Sequence, residues 1–231
     1  MTTKWPKQLP VLTDEQERVR DDFMAYWHEV LPNRYGVIER FNHGWPAKTA
    51  RRGERTLEIG AGLGEHLSVE PAFAREDYAA VELRPEMAET IRSRHPGVEV
   101  VTGDCQVRLP FADASFDRAL AIHVLEHLPD LPAALTEIHR LLRPGGRFVV
   151  VIPCEGGLAY SLARRVSAQR IFEKRYGMSY RFFIESEHIN LPAEIMQELR
   201  PLFSVRRRRY FPLVIPLTAP NLVIGLELAR R

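Results

Sequence analysis

The spacing of hydrophobic positions changes several times along the 231-residue chain, and each change marks an element. Residues 14–31 carry apolar or aromatic groups at Val19, Phe23, Tyr26, Trp27, Val30 and Leu31, the spacing of one helix face, with Pro32 as the expected stop. A short helix is expected over 37–41. From residue 55 onward short apolar runs take over, at 55–59, 78–83, 98–104, 116–124 and 146–153. Runs of this length bounded by turn residues read as buried strands. A helix is expected after the first strand, another over 85–94 with Pro85 at its start, and a third over 131–142, stopped by Pro144, Gly145 and Gly146. Strands alternating with helices predict a doubly wound, largely parallel α/β sheet.

The alternation breaks after the fifth strand. Residues 154–191 are rich in aromatics and arginines and are expected to form a helical insertion. Residues 192–202 return to a helical pattern, and 205–211 and 221–229 read as two closing strands. The organisation expected is a single domain, divided into an N-terminal helical cover (1–52), a ligand-binding core (53–153), a substrate-side insertion (154–191) and a closing helix and hairpin (192–231).

Composition narrows the classes. A hydrophobic content of 45% supplies a packed core, and a net charge of +2 gives no general attraction to polyanions, so no nucleic-acid partner is expected. Cys105 and Cys154 are expected to be reduced thiols. The first ten residues, MTTKWPKQLP, lack the apolar segment of a secretory signal, so the expected location is the cytoplasm. No apolar run reaches the roughly 20 residues of a membrane span. The longest candidate, 211–226, is interrupted by Pro212, Pro216 and Pro220.

The densest chemistry lies in LEIGAGLGEHL, residues 57–67. Gly60, Gly62 and Gly64 allow a tight turn and close approach of a ligand to the main chain. Their G-x-G-x-G spacing differs from the G-x-G-x-x-G of diphosphate loops. Glu58 beside the loop would repel phosphate and attract an ammonium group, so the expected ligand is a nucleoside with a cationic tail. Glu82, ending the second strand, stands where an acid grips ribose hydroxyls. Asp104, after the third, can accept a hydrogen bond from an adenine amino group.

Taken in order, LEIGAGLG, VELRPEM, GDCQVRLPFADASFD, AIHVLEHLPD and LLRPGGRFVVVIP resemble class I S-adenosylmethionine-dependent methyltransferases across residues 51–153. The middle segments are most similar to the group that includes quinone, sterol and natural-product methyltransferases. The resemblance implies a seven-stranded, mostly parallel sheet with an antiparallel C-terminal hairpin, and S-adenosylmethionine as cofactor. It implies cofactor contacts at Glu58, Gly60, Ala61, Gly62, Glu82, Leu83, Asp104, Cys105 and the backbone of His123. The activity implied is methyl transfer to an oxygen or nitrogen of a small-molecule acceptor. A methyltransferase of RNA or of a lipid-linked substrate, and a non-catalytic cofactor-binding subunit, are the alternatives; the glycine spacing and Glu58 oppose a nicotinamide-dependent oxidoreductase.

Other constellations are ambiguous. His123, Glu126 and His127 spell H-x-x-E-H, an inverted zinc-peptidase pattern, but such a site needs both histidines on one helix face and a third ligand. His123 ends a strand, so no metal is expected, and His127 is expected to orient the turn. Arg206 to Arg209 on a strand would place Arg206 and Arg208 on one face and Arg207 and Arg209 on the other. They read either as a charge-protected edge or as a patch for an anionic substrate, a lipid head group or RNA. His188, between acids in ESEHIN, is a candidate general base, with His123 as a second. Both segments outside the strand core are expected to fold over the cofactor, with Tyr26, Tyr35, Tyr160, Tyr176 and His188 facing the acceptor.

Overall fold

The apolar runs of the first half pair in parallel, and the last two strands close the sheet antiparallel. The computed structural model describes residues 4–34 and 36–231, the side chains of 28–34 excepted. Strands β1 (Thr56–Ile59), β2 (Tyr78–Glu82), β3 (Glu99–Thr102), β4 (Phe116–Ile122), β5 (Leu142–Pro153), β6 (Phe203–Phe211) and β7 (Val223–Arg230) form one sheet, ordered β3-β2-β1-β4-β5-β7-β6. The expected seven-stranded α/β sheet with its antiparallel C-terminal pair is present. Strand order reverses between β1 and β4, and a ligand crevice opens at the carboxyl ends on either side of such a switch point.

Helices are α1 (Asp14–Arg34), α2 (Gly36–Ala47), α3 (Pro85–Arg94), α4 (Leu131–Leu141), α5 (Leu158–Arg164), α6 (Arg170–Tyr176), α7 (Arg181–Glu187) and α8 (Pro192–Leu199). A π turn, Arg165–Gln169, joins α5 to α6. Successive strand residues face opposite sides. Leu57, Ile59, Ala119, Ala121, Phe148 and Val150 therefore pack with Leu135 and Ile138 of α4 and Ile195 and Leu199 of α8. Tyr78, Ala80, Leu120 and Val149 meet Ile91 of α3 and Trp45 of α2 on the other side. A third cluster lies off the sheet. Phe23 of α1 meets Phe172 edge-on at 5.0 Å and Phe183 at 5.1 Å, so the N-terminal helix and the insertion pack on one another. Among the described residues no helix is long and apolar enough to cross a membrane.

Three expectations are corrected. Helix α1 runs to Arg34, past Pro32. Pro32 lacks a donor and disfavours a helix interior, but it stands in the last turn, which two further residues complete. The helix expected after the glycine loop is absent: the first crossover holds only the 3₁₀ turns His66–Ser68 and Ala72–Ala74. Pro71 disfavours a helical Glu70. The crossover is instead tied by buried charge, with Glu70 bonded to the Arg118 guanidinium of β4 and 2.8 Å from His66 Nε2. Last, the register of β6 shifts between Val205 and Arg207. Such a bulge breaks strict alternation, and Arg206 and Arg207 line the same cavity of about 310 Å³ with Arg51, Arg147 and Glu227.

Candidate active site

The glycine loop is shaped by contacts that exclude a side chain. Gly60 turns the chain out of β1 at φ +66°, and a Cβ there would lie 2.5 Å from Val124 Cγ2. Its N–H donates to Val81 O at 2.8 Å, which binds the turn to the end of β2. Gly62, at φ +59°, donates its N–H to Glu82 Oε2 at 2.9 Å. Glu82 Oε1 accepts from the N–H of Arg84 at 3.0 Å. Each carboxylate oxygen has a second lone pair to offer. The carboxylate ending β2 is thus fixed against the loop, with Ala61 buried within the loop and Leu83, 62% exposed, following it. After β3, Asp104 Oδ1 accepts from the Gln106 N–H at 2.8 Å, and Gln106 Oε1 accepts from the Asp130 N–H at 2.7 Å, tying this edge to the start of α4. Burial, with Asp104 next, pushes the Cys105 thiol up to about 12, so this sulfur stays neutral.

Glu58 lies beneath the loop, in the sheet. It is buried and accepts a hydrogen bond from Tyr78 Oη at 2.8 Å. Burial, with the nearby Glu70 and Glu65 charges, outweighs that bond and pushes its pKa up to about 8. The shift favours the neutral acid, whose carboxyl is turned to Tyr78.

Beyond β4 the chain builds a histidine–carboxylate cluster. His123 takes a left-handed φ of +54°, its N–H donating to Val151 O at 2.9 Å. Its Nδ1 lies 3.0 Å from Glu126 Oε1, and its Nε2 is buried without a partner among the described residues. Burial alone would lower the His123 pKa, but Glu126, by hydrogen bond and charge, and Glu39 more than offset it and raise the value. Burial would raise the Glu126 pKa, but His123, with the nearby His127 and His188, lowers it below the usual carboxylate value. His127 Nδ1 meets Glu187 O at 2.6 Å, tying the turn to the end of α7. Its ring stands edge-on to His188 at 5.1 Å. His188 Nδ1 lies 2.9 Å from Glu155 Oε2, and Arg164 bonds the other oxygen of that carboxylate. Burial would raise the Glu155 pKa, but His188 and Arg164 lower it, so Glu155 is ionised. An ionised carboxylate only accepts, which makes Nδ1 of His188 the donor and leaves Nε2 as the lone pair of the neutral ring.

A family model for a methyltransferase domain matches residues 57–150. The O-methyltransferase rstn1 of Aspergillus nomiae is 38% identical over 163 residues, covering 62% of this chain and 70% of that protein. The chain belongs to the class I S-adenosylmethionine-dependent methyltransferases. The fatty-acid O-methyltransferase of Mycolicibacterium smegmatis is 33% identical over 150 residues, 57% of this chain and 54% of that one. The chain spans about half the length of the first curated relatives it matches. In fold it resembles 1,6-didemethyltoxoflavin-N1-methyltransferase from Burkholderia thailandensis, with a TM-score of 0.59 at 20% identity, covering 97% of this chain and 93% of that one.

The glycine loop fits a bound nucleoside. Gly60 and Gly62 hold the left-handed backbone of the turn, where a Cβ on Gly60 would strike Val124, and Glu82 offers free lone pairs beside it. Of the side chains expected at the acceptor, the fold brings His188 to the cluster, and the Tyr160 ring lies 6.0 Å from the guanidinium of Arg164, which bonds Glu155. His123 joins them through Glu126. Tyr26 and Tyr176 do not: Tyr26 packs beside Phe23 under the Arg175 guanidinium, and Tyr176 Oη bonds Asp22 at the surface. Tyr35 lies outside the described residues. The acids flanking His188 in sequence are not its partners either. Glu185 pairs with Arg181, while Glu187 Oε2 lies 3.7 Å from His127. Sequence reasoning met Glu126 only as part of the H-x-x-E-H pattern, without its pairing to His123, and missed Glu155, just past the end of β5. Among the described residues no group of three or more His, Cys, Asp or Glu is arranged to hold a metal.

Proposed function

We propose that this protein transfers the methyl group of S-adenosylmethionine to an oxygen or nitrogen of a small-molecule acceptor. The bond from Gly62 N–H to Glu82 carries the reading, because it brings the glycine turn and the end-of-β2 acid into one cradle. The curated relatives named for O-methyl transfer support the acceptor class.

When bound, the cofactor supplies an electrophilic methyl carbon on a sulfonium. Glu82 would accept from the ribose hydroxyls, Asp104 from the adenine amino group, and Leu83 would lie against the base. The His123 backbone would pass beside the methionine part. His188, its Nδ1–H aimed at Glu155, presents Nε2 to take a proton from an acceptor hydroxyl or amine. His123 Nε2 is the second candidate for that task. Helix α1 and the insertion, joined through Phe23, would keep water from the nucleophile.

The test is calorimetric titration with S-adenosylhomocysteine. Charge-assisted hydrogen bonds contribute roughly 1.5–3 kcal/mol each, so Glu82→Ala should weaken binding at least about tenfold. Unchanged affinity overturns the cradle. Transfer of labelled methyl to a panel of hydroxy, carboxy and amino acceptors then reads the chemistry.

A further inference from the structure

The insertion and the closing hairpin together leave an apolar surface with no part in the chemistry above. On α5 and the π turn, Leu158, Leu162 and Val166 recur at every fourth position and stand 79%, 64% and 62% exposed. The loop between β6 and β7 presents Val214, Ile215 and Leu217 to solvent in the same way. The two segments touch. Ala159 N–H donates to Ala219 O at 2.9 Å, and a Cβ on Gly157 would lie 2.7 Å from Thr218 O. The loop is built rather than slack. The buried Asn221 side chain accepts from the Leu213 N–H at 2.8 Å and donates to Ile215 O at 2.9 Å and Leu217 O at 2.8 Å. One amide therefore satisfies the loop backbone from within, and the aliphatic side chains are held outward.

Along these two segments arginine outnumbers acid. Residues 156–172 contain three arginines and no acid, and residues 201–226 contain four arginines and no acid. Arg164 is held by Glu155 and Arg207 faces Glu227, but Arg165, Arg170, Arg206, Arg208 and Arg209 form no ion pair among the described residues. Exposed aliphatic tips on segments that also carry unpaired guanidinium groups match a bilayer boundary, where the tips enter the acyl region and the cations meet phosphates. Single-stranded nucleic acid would be met by exposed rings for stacking, and the tips here are aliphatic.

We propose that this face docks on the surface of an anionic phospholipid bilayer through Leu158, Leu162 and Val166 and the Val214–Leu217 loop tip. Because α5 follows closely on Glu155, docking would also turn the His188 cluster toward the bilayer; that last step alone rests on the methyl-transfer reading.

The test is flotation of the full chain with vesicles of phosphatidylcholine, with and without phosphatidylglycerol, in the absence of cofactor. The expected result is partition onto the phosphatidylglycerol vesicles that weakens with salt. Leu158→Asp with Val214→Asp should reduce it at least about tenfold, and Arg208→Glu with Arg209→Glu should remove the preference for the anionic lipid. Thermal unfolding and S-adenosylhomocysteine binding verify the fold of each variant. Where the Asp pair fails to fold, Val214→Ser with Leu217→Ser is read in its place. Equal partition of wild type and variants, or no vesicle binding, overturns the proposal. So does a dimer in sedimentation that Val214→Asp dissociates, which would make a second copy the occupant. Vesicle binding needs neither cofactor nor acceptor, so its failure leaves methyl transfer standing, and the reverse holds.

Discussion

His123 and Glu126 face one another across the turn that follows β4, Nδ1 to Oε1 at 3.0 Å, with the histidine backbone left-handed at φ +54°. Such a conformation costs a non-glycine residue about 1–3 kcal/mol and persists only where its surroundings fix it. Here the bond to β5 and the buried glutamate do so. Strain of this kind clusters at functional sites, and this turn stands at the carboxyl edge, beside the glycine loop: Val124 is the residue that closes over Gly60.

The pair gives a prediction with a definite sign. The raised His123 pKa stabilises the fold fully below the ordinary value of 6.5, and that contribution is lost as pH rises through the folded value. The lowered Glu126 pKa stabilises above 4.5 and is lost as pH falls through its folded value. Glu126→Gln should therefore destabilise by about 1–3 kcal/mol within the window between them, and less outside it. In the variant burial dominates, so the His123 ring should titrate below 6.5 by NMR. An unmoved titration refutes the pairing.

Gly60→Ala should destabilise by about 1–3 kcal/mol through the contact with Val124 and the left-handed backbone. Adding Val124→Ala removes the contact but not the strain. Denaturant unfolding of the double variant should recover part of the loss relative to the single; no recovery would place the whole cost in φ.

If His188 takes the acceptor proton, His188→Ala should lower turnover by about 10²–10⁴-fold with S-adenosylhomocysteine affinity unchanged. Glu155→Gln keeps a hydrogen bond to Nδ1 but no longer dictates the tautomer, so kcat should fall while KM for the acceptor holds. Normal turnover in both variants makes the pair structural.

Glu58 carries a pKa raised to about 8, so the folded state keeps a proton that the unfolded state loses above 4.5. Stability from this group falls as pH rises from 4.5 to about 8, by at most about 1.4 kcal/mol per pH unit. Glu58→Gln, which can still accept from Tyr78, should flatten that decline. Melting temperatures of the two proteins should converge near pH 5 and diverge near pH 8; parallel curves would show Glu58 ionised.

The sequence by itself determined the sheet, since the alternation of short apolar runs with helical stretches is set by local periodicity and by the glycines and prolines between them. It also determined the positions of the glycine loop, of Glu82 and of Asp104, because each follows its own strand and strands of one parallel sheet end at one edge. Tertiary structure decided whatever depends on distance across the chain. The acid beside His188 is Glu155, distant in sequence and near only because the insertion folds back on the end of β5. Tyr26 and Tyr176 share helix faces with Phe23 and Phe172, and burial of those rings fixed which way the tyrosines turn. A buried arginine on β4 ordered the first crossover in place of a helix, and a bulge in β6 set two consecutive arginines on one cavity. Period and propensity act over a few residues; burial of charge and ring against a distant partner is a property of the assembled fold, and it overrides them.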